Sequence, residues 1–534
     1  MSALGNVKLK EPKSTPQTEK AVKGQKRNNA GGFSFKIDDK DRFRRFLTIG
    51  SDGGTYYVGE QKLTEEHVKF VQKIIKRDGL TAVEEIVNVS SNALAPKNTQ
   101  ALFALAVAFT SEDLKVKAAA KAALPKVART STHLFEFAQF IENIAGWGRA
   151  KTSAVASWYE DKTPDSLAYQ AVKYRQRNGW THRDLFRLSH PQKVDSGLAE
   201  WILRGNNENV PEIISIFEEL QAATTEAKAL KIMKRNADAN IAWEFLPTEL
   251  HNSAKIWSEL FYRGMGHTAL LRNTSRMHKL GLFNDMKFAA DYAAALADEN
   301  LIRKGRMHPI QYLNAYAAYN GDPDGQASYW GGDCHKGVDG ANNKIVAALE
   351  AGYNSAFQNV EPANKRTLMG LDVSGSMSQA ASGLKLSCAT LGAAFSQTLV
   401  KREPYAVIKG FTNEFKDLGI SDSDNLKTVM SKVTRQNFGR TDCSLPMVWA
   451  LEKKVEVDTF VVFTDNETYA GRQHPHQALE RYRQQMGIPA RLVVVAATAT
   501  RFSIADPTDA GSLDVSGFDA STLKTIADFS AGRI

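Results

Sequence analysis

The 534-residue sequence holds only three cysteines, Cys334, Cys388 and Cys443, widely separated and without Cys-x-x-Cys spacing. Neither a disulfide framework nor a thiolate zinc site is credible on that count, and the three read as small core residues. No uninterrupted apolar segment approaches the roughly 20 residues that span a bilayer, and the opening "MSALGNVKLKEPKSTPQTEK" has no apolar core of a signal peptide. The expectation is a cytosol-like, cytoplasmic location with no membrane contact. No Gly-rich loop ends in Gly-Lys-Ser/Thr, no His-Glu-x-x-His occurs, and the 11 histidines are scattered without ligand spacing. "GMGHTA" at 264–269 has a dinucleotide-loop spacing, but it follows "SAKIWSELFYR", which reads as helix where that motif needs a strand.

A strong charge excess is also missing from the last third of the chain. Residues 361–534 carry 20 Lys and Arg against 19 Asp and Glu, which leaves 48 against 40 for the rest, so nearly all of the net +9 precedes residue 361. A basic excess attracts polyanions, though a modest average defines no patch. With 43% hydrophobic residues and this length, the chain can bury more than one sizeable core.

Three regions are distinguishable. Residues 1–32 are rich in Lys, Gly, Pro, Asn and Gln and poor in large apolar groups, which predicts a disordered basic tail. "RRFLTIGSDGGTYYVG" then suggests a hairpin around Asp-Gly-Gly. A helix follows in "LTEEHVKFVQKIIKRDG", capped by Thr64, closed by Gly79 and striped by Val68, Val71, Ile74 and Ile75. From there to residue 360 the pattern stays helical, as in "ALFALAVAF", "HLFEFAQFIENIAGW" and "NVPEIISIFEELQAA". Helices of this length between short breaks fit an irregular α-solenoid of HEAT-like helical repeats, with a large globular helical domain as the alternative. After residue 360 the strand-like runs "TLMGLDV", "YAVIKGF", "TFVVFTD" and "RLVVVAA" alternate with helical segments, the grammar of a doubly wound α/β sheet over 361–534.

Such sheets collect ligands at the carboxyl ends of their strands. Asp372 ends one strand, with Ser374 and Ser376 in the turn behind it; Asp465 ends another, and "GRTDCS" supplies Thr441 from a loop between them. Two carboxylates and three hydroxyls form an all-oxygen site for a hard divalent cation, magnesium first. If the hydroxyls bind directly and the carboxylates through water, the ion keeps enough charge to favour an acidic ligand from a partner. Two other readings stay open: that Ser374 and Ser376 merely cap the next helix, and that Asp372 is a phosphoryl-accepting nucleophile. The second acid usual two residues after such a nucleophile is Ser374 here.

The densest positive charge of the helical half lies in "LAYQAVKYRQRNGWTHRDLFRLSHPQK". Lys173 and Arg177, four apart, are expected on one helix face, broken at Asn178-Gly179. A second helix starts at Thr181 with Asp184 in the capping-box position, carries Arg183, Arg187 and His190, and turns Leu185 and Leu188 inward. Arg175 adds a further cation, and Tyr174 and Trp180 offer rings. Multiplicity of this kind suits phosphate binding, although a solvated basic face is the commoner outcome for such a cluster.

The oxygen-ligand pattern resembles the metal-ion-dependent adhesion site of von Willebrand factor A domains. "GRTDCSLPMVWA", "FVVFTDNETYAG", "HPHQALERYR" and "FSIADPTDAGSLDVSGFD", with "GSDGGTYYVGEQKL", "WGRAKTSAVASWY", "KYRQRNGWTHRDLFRLSHP" and "TALLRN" in the N-terminal half, resemble the Ro autoantigen (TROVE) family from about residue 33 to the end. Arg440 departs from it, standing where the family usually has a second glycine before the threonine. The resemblance implies a ring-like α-solenoid (33–360) joined to a von Willebrand factor A domain (361–534), with Lys173, Arg177 and His190, and more weakly Arg175 and Arg187, on the RNA-binding surface. It also implies a non-enzymatic function. Small structured Y-type RNA would bind outside and single-stranded 3′ ends of misfolded or precursor noncoding RNA in the hole, for quality control, maturation or decay, with an exoribonuclease as a possible partner. Arg149, Arg272 and Arg276 are further candidate contacts. The rival function is a metal-dependent protein-interaction scaffold acting through the von Willebrand factor A domain; a phosphotransferase using Asp372 is a third.

Overall fold

The computed structural model describes residues 14–52, 54–321, 336–357, 360–381, 386–436 and 439–534; Cys334 lies outside them. The chain divides into two compact units, one of Met1–His67, Gly321–Lys336 and Phe357–Ile534, the other of Val68–Asn320 and Gly337–Ala356. The C-terminal unit thus takes in the described residues up to His67 as well, which a division at residue 33 did not foresee. Eleven strands occur among the described residues: β1 (Gln25–Arg27), β2 (Phe33–Lys36), β3 (Gln176–Arg177), β4 (Trp180–Thr181), β5 (Thr367–Asp372), β6 (Ala406–Phe411), β7 (Phe415–Asp417), β8 (Thr459–Thr464), β9 (Arg491–Ala496), β10 (Phe502–Ser503) and β11 (Ser512–Ser516).

The first unit is built on a six-stranded sheet of order β11-β9-β8-β5-β6-β7, parallel except for the edge strand β7. Its central strands β5 and β8 are buried along their whole length, and β9 at all but its first residue, which is why they read as continuous apolar runs rather than alternating ones. Phe460, Val462, Leu492 and Val494 pack with Met447, Leu479 and Tyr482 in one core cluster. The chain leaves β5 toward β6 on one side and later enters β8 on the other, so the topological switch falls between β5 and β8.

The N-terminal expectations need correction. Residues 14–32 are not a disordered tail; they pack as a strap in this unit, with β1 and β2 pairing and β2 adding β10 in a small antiparallel sheet. Nor do "RRFLT" and the residues after it form a hairpin. Asp38 accepts a hydrogen bond from Asp41 N and caps a helix Asp39–Thr48. Its Arg45, fully buried, gives Nη2 to the Asp514 carboxylate at 2.5 and 2.6 Å and Nη1 to the Thr500 and Phe502 carbonyls. The helix that starts at Glu60 does break where Gly79 was expected to close it: Asp78 is non-helical (φ −150°, ψ 62°), and a second helix continues from there to Ser91.

In the second unit the expected helices are present, among them Thr99–Ala108, Leu114–Val127, Ser131–Ala145 and Glu212–Gln221. Each packs mainly on helices one to three places away in the chain, the local contact pattern of a helical solenoid. Helix Ala254–Tyr262 precedes "GMGHTA", so no strand feeds that glycine spacing. Among the described residues no helix is long and apolar enough to cross a membrane.

Candidate functional site

The sheet places the oxygen cluster where its strand ends predicted. Asp372 is the last residue of β5 and Asp465 directly follows β8, its neighbour. Asp372 Oδ1 accepts from Ser374 N at 3.0 Å and Oδ2 from Thr464 Oγ1 at 2.7 Å, and the Ser374 and Ser376 hydroxyls lie 3.2 Å apart. The Ser374 side chain makes no capping hydrogen bond to the short helical turn behind it, which removes the capping explanation for that residue. The loop bearing Thr441 is pinned to the segment beyond Asp465, since Tyr469 N and Ala470 N both donate to the Thr441 carbonyl.

Asp372, Ser374, Ser376, Thr441 and Asp465 are each no more than 3% exposed. Burial, and for Asp372 the facing Asp465, push both carboxyls above the usual carboxylate range. Asp465 Oδ1 accepts from Glu467 N at 3.0 Å, but its buried Oδ2 has no hydrogen-bond partner among the described residues. An orphaned carboxylate oxygen among converging hydroxyls is what a hard cation would satisfy, so the residues present fit one. Cys388 and Cys443, both buried, belong to the surrounding core.

Sequence reading missed what encloses this cluster. The Tyr57 hydroxyl lies close to Ser376 and Asp465. The strap runs along the segment after Asp465: Gln17 Nε2 donates to Asp442 Oδ1 at 2.7 Å, and Asn28 Nδ2 to the Thr468 carbonyl at 2.8 Å. Asn29 N and Ala30 N both donate to Glu467 Oε2, at 2.7 and 3.1 Å. Gly32 permits the approach, because a Cβ there would lie 2.1 Å from the Thr468 carbonyl oxygen. Burial first, then Asp465, pushes the Glu467 carboxyl up to about 7.

In the second unit the basic segment departs from its expected shape. The helix Pro164–Lys173 stops at Lys173, and Arg177 lies on β3, so the two do not share a helix face. Asn178 (φ 51°) and Gly179 (φ 79°) form a tight hairpin turn that pairs Arg177 with Trp180 and Gln176 with Thr181. Asn-Gly is the strongest short hairpin signal, and here it makes a turn rather than only breaking a helix. Thr181 and Asp184 form the expected capping box of helix His182–Ser189, with His190 just past its end in the left-handed region. Leu185 is buried as expected, but Leu188 is exposed and Phe186 takes the inward position.

A cavity of about 620 Å³ is lined by Thr132, by Lys173, Tyr174, Arg175, Gln176, Arg177 and Thr181, and by Trp243, Glu244, Leu246, Thr248 and His251. Arg187 and His190 are exposed on the next helix and line no part of it. Burial opposes the Lys173 charge, yet Tyr169, Tyr174 and Glu244 outweigh it and hold the ammonium above its ordinary value. Burial raises the Glu244 carboxyl, with Lys173 and then Arg272 working against that. Arg276 lies over the rings of Trp243 and Trp257, its guanidinium carbon 5.6 and 5.1 Å from their centroids. Arg149 is exposed.

The TROVE domain family model matches residues 26–241 and 208–322, and the Ro60 vWA domain model matches residues 366–530. A curated protein from Deinococcus radiodurans, named "RNA-binding protein RO60", is 38% identical over 536 residues, covering 98% of each chain. The chain belongs to the Ro family. Another relative with the same name, from Caenorhabditis elegans, is 33% identical over 600 residues, covering 97% of this chain and 92% of its own. The crystal structure of the Deinococcus radiodurans Ro (RSR) protein superposes with a TM-score of 0.68 at 36% identity, over 93% of this chain and 100% of that one. The Ro model begins at residue 26, inside the segment expected to be a tail, in keeping with an ordered strap there.

Proposed function

We propose that this chain is a cytoplasmic RNA-binding protein that does not itself catalyse a reaction. It takes small structured Y-type noncoding RNA on the basic surface around Lys173, Arg175 and Arg177, extended by the exposed Arg187 and His190. Single-stranded 3′ ends of misfolded or precursor noncoding RNA thread the hole that the resemblance implies, and any trimming falls to a separate exoribonuclease. The observation that carries the reading is that three cations, Lys173, Arg175 and Arg177, line one cavity, in a chain whose relatives bear the name RNA-binding protein. Several phosphates can be neutralised together only where cations cluster in this way. Filter binding of a structured RNA should weaken severalfold for Lys173→Ala/Arg177→Ala at unchanged melting temperature; wild-type affinity in that variant would sink the reading.

A divalent cation, magnesium, would be held by Asp372, Ser374, Ser376, Thr441 and Asp465 and would neutralise the two facing carboxylates. Its role is structural on this account. An acidic residue from a partner would have to reach a cluster no more than 3% exposed at any of these residues. The scaffold reading, which needs an open coordination position, is therefore not favoured.

A further inference from the structure

Affinity for a structured RNA grows with every phosphate contacted, and the cations of one cavity reach only a few of them. A second group of cations lies on the seam between helix Leu114–Val127 and helix Arg149–Glu160, which pack on each other. Lys121 Nζ crosses this seam to Ser153 Oγ at 2.7 Å. Lys117 stands one turn before Lys121, and Arg149 one turn before Ser153, so helical spacing puts both on the same seam. Lys121 and Arg149 are exposed and Lys117 is half-buried. Lys151 is buried beside them, its Nζ donating to the Gly146 carbonyl at 2.5 Å just past helix Ser131–Ala145. Burial first, then Lys117, lowers the proton affinity of Lys151, so like charges face each other across the seam. Among the described residues none of these four cations forms an ion pair.

The seam adjoins the hairpin that carries Arg177. Trp147, two residues before Arg149, packs against Trp180 with ring centroids 5.6 Å apart. Trp180 is the strand partner of Arg177 across the Asn-Gly turn, so the two project from the same face of the hairpin. The two indoles therefore join the Arg177 end of the cavity to the start of helix Arg149–Glu160. Neighbouring cations without carboxylate partners repel one another, and a polyanion laid over them removes that repulsion while releasing its own counterions. Double-stranded RNA is bound in this manner, through its phosphates and 2′-hydroxyls and by shape instead of sequence. We infer that the seam of Lys117, Lys121 and Arg149 is a second backbone contact for the RNA held at Arg177, taking successive phosphates of a duplex stem. Lys151 stays buried and shapes the potential of the seam without touching the RNA.

This inference rests on the RNA-binding reading, and its test separates the two. Two long-stemmed hairpin RNAs of unrelated stem sequence are titrated across about 50 to 200 mM salt, with polyglutamate as a polyanion that carries no phosphate. The proteins are wild type, Lys117→Ala/Lys121→Ala and Lys173→Ala/Arg177→Ala. The seam variant should bind both RNAs severalfold more weakly, with a log-log slope shallower by one to two contacts of about 0.7 to 0.9 each. Lys117→Arg/Lys121→Arg should restore the wild-type slope, since the phosphates answer to charge. Wild-type affinity and slope in the seam variant, with the cavity variant weakened, would overturn the seam and leave RNA binding standing. No binding of either RNA by wild type would overturn both. A loss confined to polyglutamate would also overturn the inference, because it would assign the seam to an acidic protein. Should Lys117→Ala/Lys121→Ala melt early, Arg149→Gln at the exposed start of its helix takes its place, with the same slope change expected and the same null result decisive against the seam.

Discussion

The proposed cation binding turns on one atom, Asp465 Oδ2. Two carboxyls buried side by side with raised proton affinity repel when both ionise, and one of them keeps an oxygen unpaired. A cation removes both costs, so binding should appear as stability. With magnesium at about 100 times its dissociation constant, the stabilisation is about 2.7 kcal/mol. Thermal melts in chelator and in excess magnesium should therefore differ by several degrees for wild type and coincide for Asp465→Ala; coincident wild-type curves would remove the cation from the account. Gln17 matters at the same scale, since its amide joins Asp442 and Thr468 with no exposure. Gln17→Ala leaves those buried groups without partners and should cost about 1–3 kcal/mol in a denaturant titration. A loss within error would mean the strap is not part of the folded unit's stability.

At the scale of elements, the hairpin Gln176–Thr181 decides where Arg175 and Arg177 point. Gly179 sits at φ 79° with open space around its Cα, so Gly179→Ala meets no neighbour but carries the left-handed strain, about 1 kcal/mol. Global stability should change little, while RNA affinity falls because the cations lose their fixed positions; an unchanged affinity would show that the turn does not orient them. The same element marks where sequence reading ran short. Helical charge spacing suggested one continuous face, whereas Asn-Gly specified a turn, and the local turn chemistry prevailed. The parallel strands β5, β6, β8 and β9 were legible to within a residue, because the inner ones are buried and form unbroken apolar runs, whereas the less buried edge strand β11 was not read as one. The strand-end places of Asp372 and Asp465, which the topology fixes, were legible too. The strap was not, because Gln17, Asn28, Asn29 and Ser34 hold it through polar contacts that leave no hydrophobic pattern. "RRFLT" misled in the opposite direction. Its β-prone composition was overridden by the Asp38 cap and by burial of Arg45 against Asp514. Glu244 and Trp243 lie about seventy residues beyond Lys173, and no sequence signal joined them to it.

At the scale of the whole molecule, the helical unit keeps neutral histidines in its interior. Burial lowers His133, His182 and His267 from 6.5 to about 4 and His308 to about 3. In the unfolded chain these groups protonate near 6.5, so between about 6.5 and 4 the unfolded state binds more protons than the folded one. Their contribution to stability is complete above 6.5 and is lost as pH falls through that window. The melting temperature should thus drop steadily from pH 7 to pH 4, and a profile flat across it would contradict the burial of these rings. The central claim, that the cations around the cavity are an RNA surface, is tested most directly by a salt series. Affinity for a structured RNA is measured from about 50 to 200 mM salt for wild type and for Lys173→Ala/Arg177→Ala, where each phosphate contact contributes about 0.7 to 0.9 to the log-log slope. The account predicts weaker binding and a slope shallower by one to two contacts in the variant. Parallel lines of equal affinity would contradict it.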